Sequence, residues 1–234
     1  MSSKVTTETF FYIGFDRLSL CVFEGINKKI FEKEILINNY KEKESSDDLI
    51  INFLGENIIK VEKKIDKFVN EINLIIFDPN FLLIQASIKK SRTGDKINKR
   101  DLDYMLFDLK QQIKENNIDK TITYMKINNF LLDKKKYLSL EDNFECTELC
   151  LQIDFVCLSN KVIDNFSKII KKYQISIDKI FSAKYLKDYS AITGENELQT
   201  AVRLKYEKDE NEVHLIKKTV ENLGFFERFF KFFN

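Results

Sequence analysis

The chain has 234 residues, enough for one sizeable domain or two small ones with real cores. Its 38 Lys and Arg against 37 Asp and Glu leave a net charge of +1, which argues against a nucleic-acid partner, where a basic surplus is the usual footprint. The opening MSSKVTTET is polar and no run of about 18 apolar residues exists, so neither a signal peptide nor a membrane span is expected and the compartment reads as cytoplasmic.

Residues 10–37 read as strands. FFYIGF is followed by LSLCVFE, a turn at Gly25-Ile26-Asn27, and IFEKEILI. After a charged break, Ser45 and Asp48 suggest a helix cap. Ile50, Phe53, Leu54, Ile58, Val61, Ile65 and Phe68 then recur at helical spacing. NLIIF and FLLIQASI flank Asp78-Pro79-Asn80 and read as a hairpin. Asn98 is a candidate cap for a helix with Leu102, Met105, Leu106, Leu109 and Ile113 as its apolar stripe. TITYMKINNFLL and ELCLQIDFVCL are two long strands. Ser159 opens a helix with Val162, Ile163, Phe166, Ile169 and Ile170 on one side, and ISIDKIF is a short strand. Residues 183–208 look helical with a break near Thr193-Gly194, and 207–212, EKDENE, form a charged linker.

Little in this pattern suggests chemistry, and the chain is not expected to be an enzyme. The single histidine, His214, lies beside the acidic linker, so no Ser/His/Asp or Cys/His set is available in the body. Cys21, Cys146, Cys150 and Cys157 lack zinc-site spacing. Cys157 shares an alternating apolar face with Leu149, Leu151, Ile153 and Phe155, so the thiols read as reduced and structural. No GxxxxGK[ST] run is present.

The order of elements resembles that of FtsA, the actin-like bacterial division protein that tethers FtsZ filaments to the membrane. In that family the first strand carries a Gly-x-Asp-x-Gly-Thr/Ser phosphate loop. In YIGFDRLSLCV, Gly14, Asp16 and Ser19 match it, while Leu18 replaces the loop glycine. INKRDLDYML falls where the family has a Thr-x-Glu-Asp-Val helix start, SAKYLKDY begins a last helix, and NELQTAVRLKY is similar to a run near the family's C-terminus. The second loop, Asp-x-Gly-Gly-Gly-Thr, is missing. The resemblance therefore implies a reduced FtsA lacking its second actin-like half. Close approach of backbone to phosphate needs glycine, because a Cβ obstructs it. Gly14, Asp16 and Ser19 are thus expected to be a degenerate remnant, with Asp16 an ordinary turn residue and no cofactor bound.

The NLGFFERFFKFFN run is the other signal. Six of the nine residues from Phe225 to Phe233 are phenylalanine. On a helical wheel Leu223, Phe225, Phe226, Phe229, Phe230, Phe232 and Phe233 fall on one half. Gly224, Glu227, Arg228, Lys231 and Asn234 fall on the other. A wholly apolar stripe with Arg228 and Lys231 opposite it is the pattern of a helix lying in a bilayer interface. Burial of one Phe is worth roughly 1.5–3 kcal/mol, so half burial of six suffices for reversible attachment.

The expected fold is α+β: a partial actin-like (ribonuclease H-like) first subdomain with an inserted strand-helix-strand-strand subdomain and a C-terminal amphipathic helix. The expected divisions are 8–72, 73–180, 181–208 and 209–234. The leading functional expectation is a non-catalytic, membrane-attached adaptor of the division machinery at the septum, on the cytoplasmic face of the inner membrane. By the resemblance it would contact the lipid surface, other division proteins, itself, and FtsZ or full-length FtsA, but no nucleic acid. The alternatives are an interaction module of another envelope assembly, such as a pilus-type actin-like protein, and a residual ATPase whose site a partner completes.

Overall fold

The computed structural model describes residues 6–37, 46–94, 96–141, 143–207 and 212–213. It is an α+β fold with a partial actin-like layer. Strands β1 (Thr7–Ile13), β2 (Arg17–Glu24) and β3 (Lys28–Leu36) form an antiparallel meander. β4 (Glu71–Ile76) joins β1 in parallel, and β9 (Ser176–Ser182) joins β4 in parallel. The sheet order is β3-β2-β1-β4-β9. Counted within the sheet, this is 3-2-1-4-5 with only the second strand reversed, the ribonuclease H-like arrangement expected from the sequence.

Both faces of this sheet are covered. Phe11, Ile13, Leu18, Leu20 and Leu74 point to helices α1 (Ser46–Ile65) and α3 (Asn160–Lys171). Phe10, Tyr12, Cys21, Phe23 and Ile75 point to α4 (Ala183–Thr193) and α5 (Glu197–Tyr206). Alternation of side chains along a strand divides the residues between the two cores. The expected break between the last two helices is present, with Gly194 at φ +75° ending α4 and Asn196 capping α5 through Gln199 N.

The second sheet has the order β5-β8-β6-β7, all antiparallel. Its strands are β5 (Leu82–Ser91), β6 (Lys120–Leu132), β7 (Lys135–Tyr137) and β8 (Glu148–Ser159). Helix α2 (Lys99–Asn116) covers one face through Met105, Leu106 and Leu109, against Met125, Ile127, Leu151, Ile153 and Phe155. The Asn98 cap is a full capping box with Asp101, whose carboxylate also holds Lys90 and Arg92 at 2.8 Å each.

Strand pairing differs from the expected hairpin around Asp78-Pro79-Asn80. β4 and β5 lie in different sheets, so the span 73–180 is divided between layers: β4, α3 and β9 complete the first, while β5 through β8 make the second. The physical reason is in the burial each strand requires. Five successive residues of β4 are buried, the signature of a strand covered on both faces, whereas β5 alternates half-buried and exposed. The two chain crossings between layers are tied by Asp78. Its carboxylate accepts from Ser159 N at 2.6 Å and Asn80 N at 2.8 Å, and Lys120 Nζ donates to Asn80 O and Ser159 Oγ. Burial pulls the Asp78 carboxyl up, but those amide bonds and the Lys120 charge outweigh it and leave the group below the ordinary carboxylate range.

Two smaller differences follow. Helix α1 stops at Ile65, where Asp66 takes φ +54°, so Phe68 leaves the apolar stripe and is 78% exposed. The segment read as a linker is seated at its far end. Val213 N donates to Met125 O at 3.0 Å and Glu212 pairs with Lys179 at 2.6 Å. The Ser45 cap, residues 209–211, His214 and the 223–234 amphipathic segment lie outside the described residues.

Candidate functional site

The residues matching a phosphate loop sit in the turn between β1 and β2. Gly14 N donates to Arg17 O at 3.0 Å, and Ile37 N donates to Asp16 O at 2.7 Å, which fixes the turn against the end of β3. Gly14 is required by a close approach: a Cβ there would lie 2.5 Å from Tyr12 Cε1. Phe15 is exposed and packs its ring on Phe77, with centroids 5.1 Å apart.

Asp16, Arg17, Leu18 and Ser19 separate in strand alternation. Leu18 is fully buried in the core beneath α1, on the side away from the turn's opening. Ser19 lies on the Tyr12 side, with its Oγ 3.4 Å from Cys21 Sγ. The structure therefore brings Gly14 and Asp16 together in the turn and sets Ser19 deeper, in a cleft of about 230 Å³ lined by Tyr12, Arg17, Lys29, Glu32 and Glu197.

Arg17 closes this cleft. Its guanidinium lies over the Tyr12 ring at 4.7 Å, donates from Nη2 to Glu197 at 3.1 Å and pairs with Glu34 at 3.8 Å. Lys29 pairs with Glu32 at 2.5 Å, and the hydrogen bond to that carboxylate raises its pKa. Burial and the neighbouring Glu197 push the Tyr12 phenol up to about 12, with Arg17 opposing, and burial takes the Cys21 thiol to about 11. Three carboxylates thus surround two cations, and both cations are engaged.

Sequence reading singled out none of Tyr12, Arg17, Lys29, Glu32, Glu34 and Glu197, and Glu197 is the most distant of them. It lies 180 residues from Arg17. The local signal was the Asn196–Gln199 capping box, which places an acidic residue at the first position of a helix. Cys146 is buried in the second core and Cys150 is partly exposed. Among the described residues no group of three or more His, Cys, Asp or Glu gathers as a metal site, and no helix is long and apolar enough to cross a membrane.

No protein-family model and no curated protein matches the chain. Solved structures do. A chain of the PilM–PilN type IV pilus biogenesis complex matches at 7% identity and TM-score 0.47, over 81% of this chain and 51% of that one. The cytoplasmic domain of EpsL, an inner membrane component of the type II secretion system of Vibrio cholerae, matches at 10% identity and TM-score 0.37, over 77% and 59%. A Bacteroides thetaiotaomicron protein with actin-like ATPase fold and unknown function matches at 13% identity and TM-score 0.33, over 80% and 57%. The chain therefore spans less than two thirds of the length of each.

Proposed function

We propose that this chain is a non-catalytic interaction module of a membrane-associated envelope assembly, of the general kind to which pilus-biogenesis and type II secretion components belong. The observation that carries the reading is the engaged cation at the β1–β2 turn: Arg17 is already held by Glu197 and Glu34. Leu18, in the position of the family's loop glycine, is buried in the core and cannot be turned outward without opening a cavity beneath α1. The actin-like layer is left as a scaffold. It presents a second sheet on which Gln85 and Asp154, and Asn129 and Gln152, are linked across strands by exposed hydrogen bonds. Attachment to lipid is assigned to the Phe225–Phe233 stripe on its sequence pattern.

The division-specific form of this role, with FtsZ or FtsA as partner, rests on the sequence resemblance of the β1–β2 turn and the helix starts. One experiment addresses both levels. A fluorescent fusion of the full chain is imaged in growing cells, with and without residues 223–234. Peripheral signal lost on truncation is the expected result. A septal band would favour the division machinery, and signal distributed elsewhere on the envelope favours the proposed assembly. Diffuse cytoplasmic signal from the full chain would overturn the membrane-associated reading.

A further inference from the structure

Among the described residues strand β5 is an unguarded sheet edge. All ten of its residues pair with β8, and among the described residues no strand pairs with its other side. Free edges recruit further strands, and proteins block them with charge, shortness or cover. The other edges of this molecule are blocked. β3 carries Lys28, Lys29, Glu32, Lys33 and Glu34. β7 is three residues long and follows Lys134 with Lys135 and Lys136. At the outer side of β9, Lys179 is paired with Glu212. In β5 the seven residues Leu82–Ile88 carry no charge. The basic residues that follow lie outside that uncharged run, with Lys89 paired with Glu148 at 2.7 Å and Lys90 with Asp101 at 2.8 Å.

We propose that β5 is a self-association edge that pairs antiparallel with β5 of a second copy of this chain. The stretch LLIQASI is self-complementary in polarity. A twofold axis through Gln85 sets Leu82 opposite Ile88, Ile84 opposite Ala86, and Leu83 opposite Ser87. The first two pairs continue the α2-side core across the junction. Leu82, Ile84, Ala86 and Ile88 form the last row of that core and are only half covered in one copy. Leu83, Gln85 and Ser87 face solvent on the other side. The register leaves Lys89 and Lys90 outside the seven-residue ladder, so no like charges are opposed. Two four-stranded sheets become one continuous sheet across an isologous interface.

Sedimentation velocity of the full chain across a concentration series tests the proposal, with two double variants whose substitutions sit on the exposed face. Leu83→Lys with Ser87→Lys places ammonium groups directly opposite each other at both ends of the ladder. It is expected to weaken the dimer roughly tenfold or more. Leu83→Glu with Ser87→Lys places each new carboxylate opposite the other copy's new ammonium and is expected to keep wild-type affinity. Thermal melts of both variants at concentrations where the chain is monomeric should match wild type, since both positions are exposed in the single copy. A wild-type chain that stays monomeric throughout overturns the proposal. So does a dimer that both double variants weaken equally, or one that neither changes.

Discussion

The two sheets of this molecule differ in cover, and the difference sets how much each side chain contributes to stability. The first is sealed between α1 and α3 on one side and α4 and α5 on the other, and its central strands β1 and β4 are buried nearly end to end. The second has α2 on one face; on the other, Tyr124, Val156 and Leu158 are buried toward the first layer, while the part around Gln85 and Gln152 is polar and exposed. A residue's effect on stability should therefore depend on which sheet and which face it occupies, and the contrast yields predictions of graded size.

The largest effect is expected in the sealed sheet. Leu74, fully buried between helices, should lose roughly 2–5 kcal/mol on Leu74→Ala through lost transfer energy and the cavity left behind. Gln85→Ala on the open face of the second sheet should change stability by less than about 0.5 kcal/mol. Chemical denaturation of both variants measures the contrast, and comparable losses would break it.

The tie between the sheets should come next. Asp78→Asn keeps the shape but removes the charge that receives Ser159 N and faces Lys120. A loss of roughly 1–3 kcal/mol is expected near neutral pH. The sign with pH follows from the lowered carboxyl pKa. Its stabilisation is fully present above the unfolded value of about 3.9 and is lost as pH falls through the lower folded value. Wild type and Asp78→Asn should therefore differ at neutral pH and converge in acid. Melting temperatures that stay equally far apart at low pH would contradict this assignment.

A smaller effect than at Asp78 is expected at the Arg17–Glu197 pair. Both side chains are partly exposed, so a double-mutant cycle of Arg17→Ala and Glu197→Ala should return a coupling of about 1 kcal/mol or less. Amide exchange in α5 should rise in the Arg17 variant, because that pair helps hold the helix onto the β1–β2 turn.

The elements that were legible in sequence are those whose signal is local. The β1–β3 meander, the Asn98-capped helix, the two long strands β6 and β8, and the break at Gly194 all announce themselves within a dozen residues. Where β4 belongs was not legible. Five apolar residues in a row mark a buried strand but do not say which neighbour buries it. Strand β7 is three residues long, too short for a period to register. EKDENE reads as solvated charge by composition, yet Glu212 lies against β6 and pairs with Lys179, a contact made only once α5 has brought the chain back. The candidate site divides in the same way. Gly14, Asp16, Leu18 and Ser19 stand together in the sequence, while the ion pair that joins Arg17 beside them depends on Glu197, brought there by tertiary folding.

Whether the β1–β2 turn excludes nucleotide is the claim on which the scaffold reading depends. Isothermal titration of the full chain with magnesium ATP tests it most directly, alongside Asp16→Ala as a control on the turn. The account predicts no saturable heat from either protein. Micromolar binding by the wild type that disappears in Asp16→Ala would show that the turn still holds phosphate, and would contradict it.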